Sequence, residues 1–128
     1  DGDVLGALYV SDPKYDVDIF IGVGGGPEGV LVASALDSYD CNFHGRFIFD
    51  NREDINEAKK MGIKDLNKKY ELNEIIKGDS IFCATGITSG DILTGIEIND
   101  KNYSSQTLVT HKSSGYRKII TRSNIIKE

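Results

Sequence analysis

The sequence predicts an α/β fold in which a layered, mixed β-sheet is flanked by helices. Three observations predict it. An apolar run rich in Val, Ile and Phe (residues 17–23) passes through a glycine cluster into a second apolar, alanine-containing run (residues 30–39), the pattern of a buried strand leading into a helix. Another strand-like run (43–49) precedes a charged stretch (53–61) with Ile55, Ala58 and Met61 on one helical face. Towards the C-terminus the helical patterning stops, and residues 105–111 and 116–121 alternate as antiparallel strands do.

Taken in order, residues 4–10 carry no decisive period, and Ser11-Asp12-Pro13 marks a turn because proline biases its predecessor away from helix. Residues 17–23 are expected to form a strand buried on both faces. The helix over 30–39 is expected to begin near Pro27, since a first helical turn has no intrahelical use for the missing amide hydrogen. Residues 43–49 form the next expected strand, ending before Asp50, and the helix over 53–61 is stopped by Gly62. A short helix is expected over 72–76, and a strand over 80–85 runs into the glycine-bearing loop 85–91. Residues 93–98, 105–111 and 116–121 complete the set of strands.

With 128 residues, 39% hydrophobic and 27% charged, the chain has the composition of one folded domain spanning residues 1–128. A net charge of -5 argues against nucleic acid or an anionic membrane as partner, since both require a basic surface. The longest apolar runs fall well short of the roughly 20 residues of a membrane span, so a cytoplasmic location is expected. Cys41 and Cys83 show no metal-binding spacing, and Cys83, within an apolar run, is expected to be a buried structural thiol. His44 and His111 lack a neighbouring nucleophile in sequence, and Lys112, Arg117 and Arg122 read as surface cations. The chain opens on Asp1-Gly2-Asp3 rather than on methionine, and further sequence is expected upstream.

The most informative segment is Gly24-Gly25-Gly26-Pro27-Glu28-Gly29. Free amides of a first helical turn, the positive end of the helix dipole and bare glycine backbone converge there on one place, which suits a phosphate. The same segment satisfies G-x-G-x-x-G through Gly24, Gly26 and Gly29, with Asp50 at the distance of a ribose-binding acid. Glu28 weighs against a dinucleotide, because a bare carboxylate in that first turn repels pyrophosphate. A hard divalent cation turns the repulsion into attraction, since it takes oxygen from one or two carboxylates and from substrate phosphate. A merely structural turn, with Glu28 complementing the helix dipole, is the plainer alternative.

The motifs Asp1-Gly2-Asp3-Val4, Gly22-Val23-Gly24-Gly25-Gly26-Pro27-Glu28-Gly29-Val30, Lys60-Met61-Gly62-Ile63, the run from Ile81 to Leu93 (IFCATGITSGDIL) and Thr107-Leu108-Val109 resemble, in order, the carboxy-terminal part of class II fructose-1,6-bisphosphatases. The resemblance implies the second subdomain of the fold of the lithium-sensitive sugar and inositol phosphatases, with an amino-terminal catalytic part upstream. It implies metal-dependent removal of the 1-phosphate of fructose 1,6-bisphosphate in gluconeogenesis, with Mn²⁺ or Mg²⁺ as cofactor. By the same resemblance Asp1, Gly2, Asp3 and Gly25 contact substrate and Glu28 is a metal ligand. No residue of this chain is expected to act as the catalytic acid or base, and a homo-oligomer is expected. The chain departs from the family pattern at Gly26, where alanine is usual, and at Ser104-Ser105-Gln106-Thr107, where Thr-Thr-Glu-Thr is usual. A non-catalytic module binding a sugar phosphate or a dinucleotide is the alternative.

Overall fold

The computed structural model describes residues 2–126. Helix α1 (Gly2–Ala7) runs into two 3₁₀ turns, Leu8–Ser11 and Pro13–Tyr15, the second opened by Pro13 and capped by the Asp12 carboxylate, which accepts from the Lys14 amide. Helix α2 (Gly26–Ser38) starts at Gly25 with Pro27 in its first turn, as the missing proline amide predicts. Its buried residues are Ala33, Ala35, Leu36 and Ser38, three small side chains and one leucine. Strand β1 (His44–Gly45) is followed by α3 (Arg52–Lys60), β2 (Tyr70–Glu71) and the single turn α4 (Leu72–Ile75). The Asn51 side chain caps α3, accepting from the Asp54 amide at 2.9 Å, and Gly62 takes φ +94° just past its end, a conformation glycine enters without penalty. A reciprocal capping box between Glu71 and Glu74 starts α4.

The main sheet contains β3 (Ile81–Thr85), β4 (Glu97–Asn99), β5 (Asn102–His111) and β6 (Tyr116–Ile125). Strand β6 pairs along the whole of β5, from Asn102↔Ile125 to His111↔Tyr116. The other edge of β5 is shared by β3, opposite Thr107 to His111, and β4, opposite Asn102 to Ser104. Because paired residues of a ladder point to the same side, Phe82, Ala84, Leu108 and Thr110 share one face, and Ile81, Cys83, Thr85, Thr107, Val109, Tyr116, Lys118 and Ile120 share the other. The first face meets α1 and α2 in a core of Val4, Leu8, Ala35, Leu36, Phe82, Leu93 and Leu108.

The α/β class holds: helices cover one face of a sheet whose described ladders are all antiparallel. Several elements differ from the sequence pattern. Residues 17–23 join no ladder, and Ile19, Ile21 and Val23 are 73%, 85% and 76% exposed. Phe20, 40% exposed, lies over Gly6 of α1 and over Gly22, and Val17 is half-buried. High β-propensity favours extended backbone, but a strand exists only where a neighbour supplies its hydrogen bonds, and none of the described strands runs beside this segment. The same reason shortens the strand expected over 43–49 to His44–Gly45, the part that meets Tyr70–Glu71. The strand expected over 93–98 is reduced to Glu97–Asn99, since Leu93 is drawn down into the core at 2% exposure. Residues 4–10, undecided by pattern, are helical. Cys83 is exposed rather than buried, because the register puts it on the face away from α2.

Candidate functional site

Residues 24–29 form an open loop-to-helix junction. The first intrahelical bond runs from the Gly29 amide to the Gly25 carbonyl at 3.0 Å, and no side chain caps the end. The amides of Gly26 and Glu28 therefore have no acceptor within the helix, and Pro27 has no amide hydrogen to place there. A Cβ added at Gly24, Gly26 or Gly29 would meet nothing within 4 Å, so the backbone is approachable from outside. Gly25 is different: a Cβ there would run into the Glu28 carboxylate, which folds back over the Gly25 backbone. The structure thus brings Gly25 and Glu28 together, one turn of helix presenting an acid directly above bare backbone. Glu28 is half-buried and, among the described residues, pairs with no lysine, arginine or histidine.

Gly2 and Asp3 stand in the first turn of α1, whose Val4 shares the core with Leu8 of the following 3₁₀ turn and with Ala35 and Leu36 of α2. Asp1 lies outside the described residues. Asp50, the ribose-binding acid of the dinucleotide alternative, is exposed just before α3. No described ladder leads into the glycine loop, so the parallel strand–helix–strand crevice that a dinucleotide requires is missing from the described residues.

A divalent metal suits Glu28 as one hard oxygen ligand beside an anion-binding helix end. Among the described residues no group of three or more His, Cys, Asp or Glu side chains forms a cage of its own. One carboxylate is a partial donor set, and a metal held at this end of α2 would need its remaining ligands from elsewhere.

Two polar clusters escaped the sequence reading because their members are far apart in the chain. At the β5–β6 turn the Asp79 carboxylate accepts from the Ser113 hydroxyl (2.6 Å) and amide (3.0 Å) and meets His111 Nε2 at 2.7 Å, while His111 Nδ1 faces the Ser114 hydroxyl at 2.8 Å. Hydrogen bonds from Ser113, then from His111, hold the Asp79 carboxyl at about 2, below its ordinary 3.8. Nearby, Lys112 Nζ donates to the Asp37 carbonyl (2.7 Å) and the Asp40 carboxylate (2.6 Å), and Arg117 donates to Asp40 at 3.0 Å. Lys112 first, then Arg117, lowers the Asp40 pKa. An open cavity of about 850 Å³ includes Asp37, Lys68, Glu74, Lys77 and Lys112 in its lining. It lies at the C-terminal end of α2, roughly 14 Å along the helix axis from Glu28 at a rise of about 1.5 Å per residue. Lys68 and Lys112 in that lining are already paired with Glu74 and with Asp37 and Asp40.

A family model described as bacterial fructose-1,6-bisphosphatase, glpX-encoded, matches residues 1–124. The chain is 35% identical over 133 aligned residues to the fructose-1,6-bisphosphatase class 2 of Haemophilus influenzae, covering 93% of this chain and 40% of that protein. It is 34% identical to the fructose-1,6-bisphosphatase 1 class 2 of Escherichia coli K12, with 93% and 40% covered. It is 33% identical to a D-fructose 1,6-bisphosphatase class 2/sedoheptulose 1,7-bisphosphatase of Synechococcus, with 89% and 37% covered. The chain spans about 40% of the length of the curated relatives it matches. With an open helix start carrying Glu28 over Gly25 and a family match along nearly all its length, the chain belongs to the glpX-encoded bacterial fructose-1,6-bisphosphatase family.

Proposed function

We propose that the full-length protein hydrolyses the 1-phosphate ester of fructose 1,6-bisphosphate with Mg²⁺ or Mn²⁺, and that this chain supplies substrate contacts and one metal ligand. The observation that carries the reading is the half-buried Glu28 carboxylate, without a cationic partner among the described residues, folded over the Gly25 backbone at an uncapped helix start. A carboxylate there opposes a phosphate unless a cation stands between them. When bound, the divalent ion polarises the phosphoryl group and makes an attacking water more acidic.

The chain's own residues bind and orient. The free amides of Gly26 and Glu28 face the anion, Gly24, Gly26 and Gly29 leave the backbone bare for close approach, and Gly25 makes room for the Glu28 carboxylate. By the family resemblance Asp1, Gly2 and Asp3 contact the substrate, helping to fix the ester in position. The residues that move protons at the reacting phosphorus belong to the part of the relatives' length that this chain does not match. The double name of the Synechococcus relative makes sedoheptulose 1,7-bisphosphate the second substrate to assay.

The test is Glu28→Gln in the full-length protein. Phosphate release is expected to fall by at least about 100-fold, with weaker Mn²⁺ binding by calorimetry. The fold should hold, because an acid in a first helical turn contributes only about 0.3–1 kcal/mol to the helix start. Unchanged manganese affinity and turnover in the variant would disprove the assignment.

A further inference from the structure

The motif running from Ile81 to Leu93 ends in a loop that reaches the segment carrying Gly2 and Asp3. The Asp91 carboxylate accepts from the Tyr9 hydroxyl at 2.9 Å, and the Asp91 carbonyl accepts from the Tyr15 hydroxyl at 3.3 Å. The two rings lie 4.5 Å apart, tilted by 32°, so both phenols are presented to one residue. Tyr9 belongs to the 3₁₀ turn that continues α1 without a break, and Tyr15 to the 3₁₀ turn after it. The hydrogen bond to Asp91 raises the Tyr9 pKa, so the phenol stays a donor at neutral pH.

The loop behind Asp91 is fixed from several sides. The Gly90 amide donates to the Leu93 carbonyl at 2.9 Å, the Gly95 amide to the Ser89 hydroxyl at 3.0 Å and the Thr94 amide to the Gln106 side-chain oxygen at 2.8 Å, while Leu93 is buried in the core. Helix α1 is the contrary case. Its six residues are too few to hold a helix by themselves in water, so its placement depends on anchors. Val4 and Leu8 supply apolar ones, but apolar burial is non-directional and leaves rotation and sliding loosely specified. A hydrogen bond is directional, and the one from Tyr9 to Asp91 ties the end of this segment to the rigid loop.

We infer that Tyr9 and Asp91 are positioning residues of the proposed phosphatase, holding α1 in the register at which Gly2 and Asp3 meet the sugar bisphosphate. The inference rests on the proposed function, and within it on substrate contact at Gly2 and Asp3. Asp3 stands about 9 Å before Tyr9 at a helical rise of about 1.5 Å per residue, and the continuous helical backbone between them carries a shift at one to the other.

The test is a double-mutant cycle in the full-length protein with Tyr9→Phe, Asp91→Ala and the pair, assayed for phosphate release from fructose 1,6-bisphosphate. Each single change should raise KM by about three- to tenfold, the size of one hydrogen bond's contribution, with kcat within about twofold and Mn²⁺ affinity unchanged. The pair should raise KM no further than the worse single change. Asp91→Asn, whose amide oxygen still accepts from the phenol, should return KM to the parent's. Hydrogen exchange of the α1 amides should quicken in Tyr9→Phe and Asp91→Ala and not in Asp91→Asn. Unchanged KM or unchanged α1 exchange in the two single variants, additive effects in the pair, or an equal rise in KM for Asp79→Asn, which loosens the β5–β6 turn instead, would overturn the inference. A parent protein that hydrolyses no bisphosphate defeats the proposed function; a parent that hydrolyses it with a KM indifferent to Tyr9 and Asp91 defeats this inference alone.

Discussion

At Gly25 the backbone lies at φ -69° and ψ 159°, a region open to any residue, yet a methyl group there would strike the Glu28 carboxylate. The glycine is needed for space, not for conformation. Gly25→Ala is therefore expected to leave stability within about 0.5 kcal/mol of the parent while displacing the Glu28 side chain. Phosphate release by the full-length protein should fall by about tenfold or more; thermal unfolding and steady-state kinetics on one preparation separate the two effects. Glu28 and Gly25 were both legible in the sequence, because an acid in the first turn after a glycine run is a local feature. Their contact was not, since it depends on the rotamer that carries the carboxylate back over the helix start. Cys83 shows the converse: its apolar neighbours suggested burial, and the register of β3 against β5 turned it outward.

Among the elements, the loop between β3 and β4 is folded tightly enough to explain its glycines. A Cβ at Gly95 would stand 2.6 Å from the Ser89 amide nitrogen, and one at Gly86 would stand 2.5 Å from the Thr94 carbonyl oxygen. Both obstacles are backbone and cannot swing aside. Gly95→Ala is expected to cost about 2–3 kcal/mol, read as a lower urea midpoint at unchanged slope. The glycines of this loop were visible in the sequence as a turn, while the reason for them, backbone packed on backbone, appears only in three dimensions. Asp91 illustrates the same limit: its carboxylate accepts from the Tyr9 hydroxyl at 2.9 Å across 82 positions of sequence.

The β5–β6 turn carries a pH-dependent contribution. Folding holds Asp79 at about 2 against an ordinary 3.8, so the stability it adds is fully present above about pH 4 and is lost as pH falls towards about 2. Asp79→Asn should remove that dependence, giving a flatter profile of urea midpoint against pH between about 2 and 4 than the parent shows. A variant profile that falls as steeply as the parent's would show that other carboxylates carry the acid sensitivity.

For the whole molecule, the expectation is that residues 1–128 alone release no measurable phosphate from fructose 1,6-bisphosphate with Mn²⁺ or Mg²⁺ present. The reason is chemical: the described residues gather no metal cage of their own, and metal-assisted hydrolysis needs several oxygen ligands held together. Turnover by the isolated chain in a phosphate-release assay would refute the division of the site. The sequence by itself determined the α/β class, the helices α2 and α3 with the Pro27 start of the one and the Gly62 stop of the other, the antiparallel character of β5 and β6, and the family, because each is written in local period, turn chemistry or contiguous motif. Only the tertiary structure decided that residues 17–23 stay outside the described ladders, that Asp79 binds His111, and that one face of the sheet is left open. Those outcomes depend on which distant segments supply hydrogen bonds and contact area, a quantity that no local stretch of sequence contains.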